Sequence, residues 1–430
     1  MEKINPGDKV NIKTDSGEFE GIVMPSSGKE ILVLKLNSGY NIGLEKNKIK
    51  KIERISAHKK HEEKKEKVNH NKNLKTISIL HTGGTVASKV DYETGAVSSR
   101  FTPEEIVSMF PELQDIANIN SRLISNMFSE DMNFNHYNIL AKEVQKEVKN
   151  NIDGIIITHG TDTLALTAAA LSFALEGLNV PVILVGAQRS SDRGSTDAKL
   201  NLLSAAHFIT KTDYQGVAVC MHETKDDEKC LILPPAKTRK FHSSSRDAFK
   251  VINDIPVAEV SREGHVTFLR KHPKKENKKL KLKLFKPNLK IGILKSHPIM
   301  LAKEISNYKN FNALILEGTG LGHFPVNKID KFTNENQKIY SEIKKLAKKI
   351  PVVMTSQTIY GRVNMNVYST GRRLLEAGVI GNYSDMTTET AFVKLAYLLS
   401  KYKKNEVKTL MEGNLKGEIS NRIVGEEEFL

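Results

Sequence analysis

The sequence predicts an α/β protein, a body of two α/β domains preceded by a small SH3-like β-barrel. Three observations carry that expectation. Residues 1–55 break into five short apolar strands separated by tight-turn residues. From residue 74 onward, apolar strand patterns alternate with helix-length patterns, as in a largely parallel sheet covered on both faces. Two charge-dense segments, 56–73 and 270–290, divide the chain between these parts.

In the first part, Pro6, Gly7 and Asp8 have turn chemistry, and Asp15-Ser16-Gly17 and Asn37-Ser38-Gly39 turn again. Strands are expected at 10–13, 19–24, 31–36, 40–44 and 49–55. Such a module binds RNA, binds protein, or caps the chain passively, and its residues leave the three open. Residues 56–73 are mostly Lys, Glu, His and Asn with no apolar period, which is linker composition.

The first α/β domain is expected over 74–269. Its strands are placed at 76–80, 155–157, 180–185 and 216–220, and its helices at 102–110, 135–148, 164–175 and 198–208. Residues 270–290 hold ten Lys/Arg and one acid, Glu276, and read as a solvated basic linker. The second α/β domain spans 291–430, with strands near 290–294, 313–316 and 351–355. Its helices are expected near 338–348, 371–377 and 388–400.

Charge and composition narrow the function classes. The net charge of +15 is concentrated in that one segment, which argues against a basic binding surface spread over a folded domain. No run approaches the ~18 apolar residues of a membrane span, and the N-terminus lacks the apolar stretch of a secretory signal. Only Cys220 and Cys230 are present, too few and wrongly spaced for a zinc site even with His222 and Glu223 nearby. They read as reduced thiols of a cytosolic protein with no metal.

Two stretches carry chemistry. The strand pattern that ends at Leu80 runs into His81, Thr82, Gly83, Gly84 and Thr85. The pattern 155–157 runs into Thr158, His159, Gly160, Thr161, Asp162 and Thr163. Each sets a hydroxyl on a glycine turn at a strand end, where sheets of this class hold ligands, and the second adds a carboxylate. Together, TGGT and HGTDT resemble the two signature loops of the L-asparaginase/glutaminase family. The resemblance covers about residues 74–402 and implies that family's asparaginase-like fold.

Hydrolysis of a side-chain amide needs a nucleophile, a base for its proton and donors for the oxyanion. Thr85 and Thr161 are the candidate hydroxyls. A lysine serves as base if it is neutral when the proton must be taken, and Asp162 is the acid that would orient it. The stretch from Ala236 to Phe249 resembles the family segment whose catalytic lysine precedes a phenylalanine by nine residues, which gives Lys240; Lys237 is the competitor. The family reading makes Thr85 the nucleophile, with Thr161, Asp162 and Lys240 in support, although the residues alone leave open which threonine attacks. Tyr92 falls where the family carries a tyrosine on a mobile lid. Ser129, Glu130, Asp131 and Met132 resemble the family's SQDM substrate motif, with a carboxylate at Glu130 that favours an α-ammonium over an α-carboxylate. The run from Ser190 to Asp197 is read as a loop ending in a helix cap.

Plain asparaginases lack an N-terminal barrel and linker. This chain has both, and so resembles an archaeal branch of the family that serves tRNA-dependent amidotransferases; the run from Gly361 to Tyr368 fits it too. The resemblance implies release of ammonia from glutamine and its transfer to a partner subunit of the E type. That partner would use ATP and magnesium to amidate Glu-tRNA(Gln) and would make most of the tRNA contact. No cofactor is expected in this chain, and a homodimer core is. The alternatives are a free cytosolic asparaginase or glutaminase carrying an added barrel, and a binding protein on this scaffold without turnover.

Overall fold

The computed structural model describes residues 4–25, 30–38, 40–57, 70–84, 86, 88–90, 97–99, 102–189, 191, 195–272 and 278–423. The N-terminal part is one antiparallel sheet of five strands, Lys9–Thr14, Gly17–Met24, Ile31–Leu36, Asn41–Glu45 and Ile49–Ser56. In space the 49–56 strand lies beside the first, and the others follow in sequence on the other side. Alternate residues point to one face, and Val10, Ile12, Val23 and Leu34 form its small core. Gly21 is required there, because a Cβ would stand 2.3 Å from the Lys35 carbonyl oxygen.

The body is built on an eight-stranded mixed sheet. Five neighbouring strands are parallel: Asn118–Leu123, Thr76–His81, Gly154–Thr158, Pro181–Val185 and Gly216–His222. The central ones are buried on both faces and read as continuous aliphatic runs. Three antiparallel strands, Lys229–Leu233, Ala258–Ser261 and Val266–Phe268, extend the sheet beyond the expected parallel core. Asn118–Leu123 was also not expected. It is an edge strand of sequence NINSRL, too polar to show an apolar period.

The second unit is a three-stranded parallel sheet, Ile291–Lys295, Ala313–Gly318 and Val352–Ser356. It carries helices Asn334–Ala347, Ser369–Glu376 and Thr388–Lys401. Helix Leu164–Ala174 (LALTAAALSFA) is apolar but for Thr167 and Ser172, as a largely buried helix must be. It packs between the large sheet and Thr388–Lys401, with the rings of Phe173 and Tyr397 5.3 Å apart. Two buried ion pairs fasten the second unit. Lys237 Nζ lies 2.7 Å from Asp385, across the two units, and Lys394 Nζ lies 2.7 Å from Glu418.

The segment 270–290 still connects the two units, but its second half is not solvated throughout. Lys281–Leu282 pairs with Leu175–Glu176, Leu280 and Phe285 are buried, and Phe285 stacks on Phe134 at 5.3 Å. The sequence here alternates, K-L-K-L-K-L, with leucines turned inward and lysines outward. Charge density hid that period. Among the described residues, no helix is long and apolar enough to cross a membrane.

Candidate active site

Register creates the site. His81 and Val185 both pair with Thr158, so the loops after all three strands leave the same end of the sheet side by side. Thr82 anchors the first loop: its amide and hydroxyl both donate to the Thr158 carbonyl, at 3.1 and 2.9 Å. Gly83 and Gly84 follow at φ of 108° and 84°, where a Cβ is strongly disfavoured. A Cβ on Gly84 would stand 2.7 Å from the Gly160 amide nitrogen, so the two signature loops touch backbone to backbone.

The histidines of both motifs are structural. His81 lies between the Thr158 and Ser121 hydroxyls, at 2.7 and 2.9 Å. His159 lies between the Gly160 carbonyl at 2.7 Å and the Thr167 hydroxyl at 2.9 Å. Burial pushes His81 down to about 3 and His159 down to about 4, so both are neutral at physiological pH.

Lys240 arrives from a hairpin, Thr238–Lys240 paired with Phe249–Val251, in which Lys240 faces Phe249. Its ammonium donates to Thr161 Oγ1 at 2.9 Å and to Asp162 Oδ1 at 2.8 Å. The lysine side chain is 13% exposed and that of Asp162 is 65% exposed, so this ion pair faces solvent and is weak as a stabiliser. Its effect is to orient the lysine. Lys237 points the other way, into its buried pair with Asp385. Burial pulls the Lys237 ammonium below its ordinary value even though Asp385 opposes the shift.

Thr85 and Tyr92 lie outside the described residues, as do 190 and 192–194 of the Ser190 to Asp197 run. Ser129 is buried against Gly160. Its hydroxyl accepts the Thr163 amide at 3.3 Å, and its carbonyl accepts the Thr163 hydroxyl at 2.6 Å. Glu130, in the same turn, is exposed. Asp197 does occupy the position before helix Ala198–Lys211, but its carboxylate does not cap that helix. It turns back and accepts the amides of Gln188 and Arg189, both at 3.0 Å. Gln188 is the residue that sequence reasoning missed. Its Oε1 accepts the Thr161 hydroxyl at 3.5 Å. A glutamine two residues after a glycine carries no motif; only its place at the end of the strand Pro181–Val185, beside the HGTDT strand, could have pointed to it. The histidine and cysteines set aside as metal ligands form an internal network: His222 bridges Asn201 and Asp227 at 2.6 and 3.0 Å, and Cys230 donates to Asn201 at 3.2 Å.

A lysine held between a hydroxyl and a carboxylate, on glycine turns at parallel strand ends, can move a proton off an attacking hydroxyl. Known proteins share this arrangement's scaffold. Residues 76–274 match the family "Asparaginase, N-terminal" and 290–411 match "Glutaminase/Asparaginase C-terminal domain". Residues 4–55 match "GatD N-terminal domain". The L-asparaginase of Thermococcus kodakarensis superposes with a TM-score of 0.70 at 31% identity, over 80% of this chain and 99% of that one. L-asparaginase I of Vibrio cholerae superposes with a TM-score of 0.70 at 29% identity, over 81% and 99%. The D-type subunit of the glutamyl-tRNA(Gln) amidotransferase of Methanococcus maripaludis is 44% identical over 97% of this chain and 98% of its own. The corresponding protein of Pyrococcus furiosus is 44% identical over 97% and 95%. The chain therefore belongs to the asparaginase/glutaminase family and, within it, to the D-type subunits of glutamyl-tRNA(Gln) amidotransferases.

Proposed function

We propose that this chain is the glutamine-hydrolysing subunit of a cytosolic tRNA-dependent amidotransferase. It releases ammonia, which a partner subunit of the E type uses to convert Glu-tRNA(Gln) to Gln-tRNA(Gln). The observation that carries the chemistry is Lys240 Nζ within 2.9 Å of Thr161 Oγ1 and 2.8 Å of Asp162 Oδ1. The full-length likeness to amidotransferase subunits supports the assignment to a complex.

In this reading a threonine hydroxyl attacks the side-chain carbonyl of glutamine, and its proton passes to neutral Lys240. Thr85 is the nucleophile on the family pattern, with Thr161 beside the lysine; Thr161 is the other candidate. The tetrahedral intermediate collapses as the Lys240 ammonium returns the proton to the leaving nitrogen, which departs as ammonia. Water then cleaves the ester to give glutamate and the free hydroxyl. Asp162 holds the lysine in place. Ser129 and Glu130 serve substrate binding, with Glu130 meeting the substrate α-ammonium, and on the family pattern Tyr92 is a further substrate-binding residue. No cofactor belongs to this chain; ATP and magnesium act in the partner. The chain forms a homodimer core.

The test is ammonia release from glutamine and from asparagine by the purified chain, with and without the partner and charged tRNA. Glutamine turnover that rises with both added is the expected result. Preference for asparagine, indifferent to partner and tRNA, would assign a free asparaginase instead. Turnover of neither would leave a binding protein.

A further inference from the structure

Gln188 is held more firmly than a loop residue needs to be. Asp197 is fully buried, and its two oxygens accept three donors: the amides of Gln188 and Arg189 and the side-chain amide of Asn201 at 3.3 Å. Asn201, also fully buried, donates to the Gly186 carbonyl at 3.0 Å. The backbone of 186–189 is thus pinned at three points. Gly186 packs so close that a Cβ would stand 2.8 Å from Thr161 Cγ2. This rigid loop presents the Gln188 side chain to Thr161. One end of its amide accepts the Thr161 hydroxyl. The other end, Nε2, is buried with no hydrogen-bond partner among the described residues. A buried amide donor without a partner is unfavourable, and such groups call for an explanation.

Proton counting supplies one. An ammonium has donors and no acceptor, while a hydroxyl has one donor and two acceptor positions. With Lys240 charged, Thr161 accepts from it and must send its own proton elsewhere, to Gln188 Oε1. With Lys240 neutral, the lysine nitrogen offers a lone pair. Thr161 then donates to Lys240 and presents a free acceptor toward Gln188. A half-turn of the amide brings Nε2 to that acceptor, because the two ends of an amide are nearly the same size. Among side chains of this shape, only an amide can serve both arrangements. A carboxylate serves the first alone, and a thioether offers the first only a weak acceptor and the second nothing.

We propose that Gln188 is a positioning residue whose amide turns to meet whichever side of the Thr161 hydroxyl is free, and so holds Thr161 for proton exchange with Lys240. In the forward step the Thr161 O–H bond breaks as the Lys240 N–H bond forms. Thr161 then either attacks or takes the proton of the attacking hydroxyl. The turned Nε2–H donates to Thr161 Oγ1 at that moment, when negative charge is on it. The idea deepens the glutaminase reading above and rests on it for the identity of the reaction.

Two near-isosteric variants of the full chain, assayed with the partner subunit, test it. Gln188→Met keeps volume and neutrality but offers only a weak acceptor and no donor. Its kcat for glutamine is expected to fall at least about 10-fold, with KM within about twofold and an unchanged melting temperature. A second readout does not need turnover: the pH titration of the lysine ¹³Cε signal that Lys240→Arg removes. Asp162 is the one carboxylate within 4 Å of Lys240 among the described residues, and it is the same in every variant. In Gln188→Met the charged arrangement keeps only a weak acceptor for Thr161, and a poorly met donor costs more than an unmet lone pair. The midpoint is therefore expected to move down. In Gln188→Glu, a pure acceptor with a negative charge, it is expected to move up. Charge alone would move the midpoint in the glutamate variant and leave the methionine variant at the wild-type value; that pattern overturns the proposal. So does full kcat in Gln188→Met, or a loss confined to KM, which would mean direct substrate contact. Should wild-type enzyme turn over neither amide, the reaction assigned above fails, while opposite-signed midpoint shifts would still establish the coupling of Gln188 to Lys240.

Discussion

Two lysines three residues apart sit in opposite environments, and the difference sets opposite expectations. Lys240 reaches Thr161 and the exposed carboxylate of Asp162, so Lys240→Ala removes a proton acceptor and an ion pair that is weak as a stabiliser. We expect kcat to fall by about 10²–10⁴-fold with the melting temperature nearly unchanged. Lys237 is 1% exposed and paired with a fully buried Asp385. Lys237→Ala strands that carboxylate and is expected to cost ~3–5 kcal/mol of stability while the remaining folded enzyme turns over glutamine. Kinetics and melting curves measured on both variants check this, and exchanged phenotypes would place the reacting lysine at Lys237. Nothing in the local sequence distinguishes the two. The count of nine residues back from Phe249 selected Lys240 through resemblance alone. In space, the hairpin that pairs Lys240 with Phe249 is what turns it toward the HGTDT loop.

The two signature loops act as one element, because Gly84 meets Gly160 and two neutral histidines lie beneath. Gly84→Ala adds a Cβ 2.7 Å from backbone at φ of 84°. It is expected to destabilise by about 1–3 kcal/mol and to lower turnover by parting the loops; a variant with wild-type melting and turnover would show that the loops do not depend on this contact. The histidines make the element acid-sensitive. Their folded values, about 3 for His81 and about 4 for His159, lie below the ordinary 6.5. Above pH 6.5 both folded and unfolded chains hold them neutral, and they contribute no pH dependence. Below it the unfolded chain takes up protons that the folded chain refuses, so stability falls as pH drops from about 6.5 toward 4. His159 alone accounts for on the order of 3 kcal/mol over that window. Unfolding midpoints in urea at pH 7, 6, 5 and 4 measure it, and His159→Gln should flatten the slope. At this scale the sequence was most legible. Aliphatic runs marked the buried parallel strands and glycines marked the turns. The polar edge strand Asn118–Leu123 and the lysine-leucine strand at 281–282 were lost because composition masked their periods. Gln188 was lost because its partner Thr161 lies in the loop after a neighbouring strand, and sequence distance carries no trace of that.

At the scale of the whole molecule, the open question is what the N-terminal sheet does for a body that already holds the candidate site. Its core is four buried aliphatic residues, and residues 1–73 carry only five more basic than acidic groups. A module that gripped tRNA phosphates alone should show a denser cluster and a steep salt dependence. Weak tRNA binding by the isolated chain is therefore expected. A role for the sheet in coupling hydrolysis to amidation within the complex is a separate expectation, which a deletion tests. The structure also shows where to cut. Asn118 is buried. Its side-chain oxygen accepts the Asn71 amide at 2.8 Å, and its side-chain nitrogen donates to the carbonyls of Asn71 at 2.8 Å and Leu74 at 2.9 Å. Residues 70–74 therefore belong to the body. Removing 1–69 keeps this clamp and should leave the melting temperature of the body unchanged. Removing 1–73 leaves the Asn118 amide without Asn71, at an expected cost of about 1–3 kcal/mol. The shorter deletion is the one that isolates the sheet. With partner and charged tRNA present, it should hydrolyse glutamine at a rate close to the full chain while forming less Gln-tRNA(Gln) per ammonia released. Equal ratios for the two chains would remove the sheet from the coupling, and tight, salt-sensitive tRNA binding by the isolated full chain would place tRNA recognition in this chain after all.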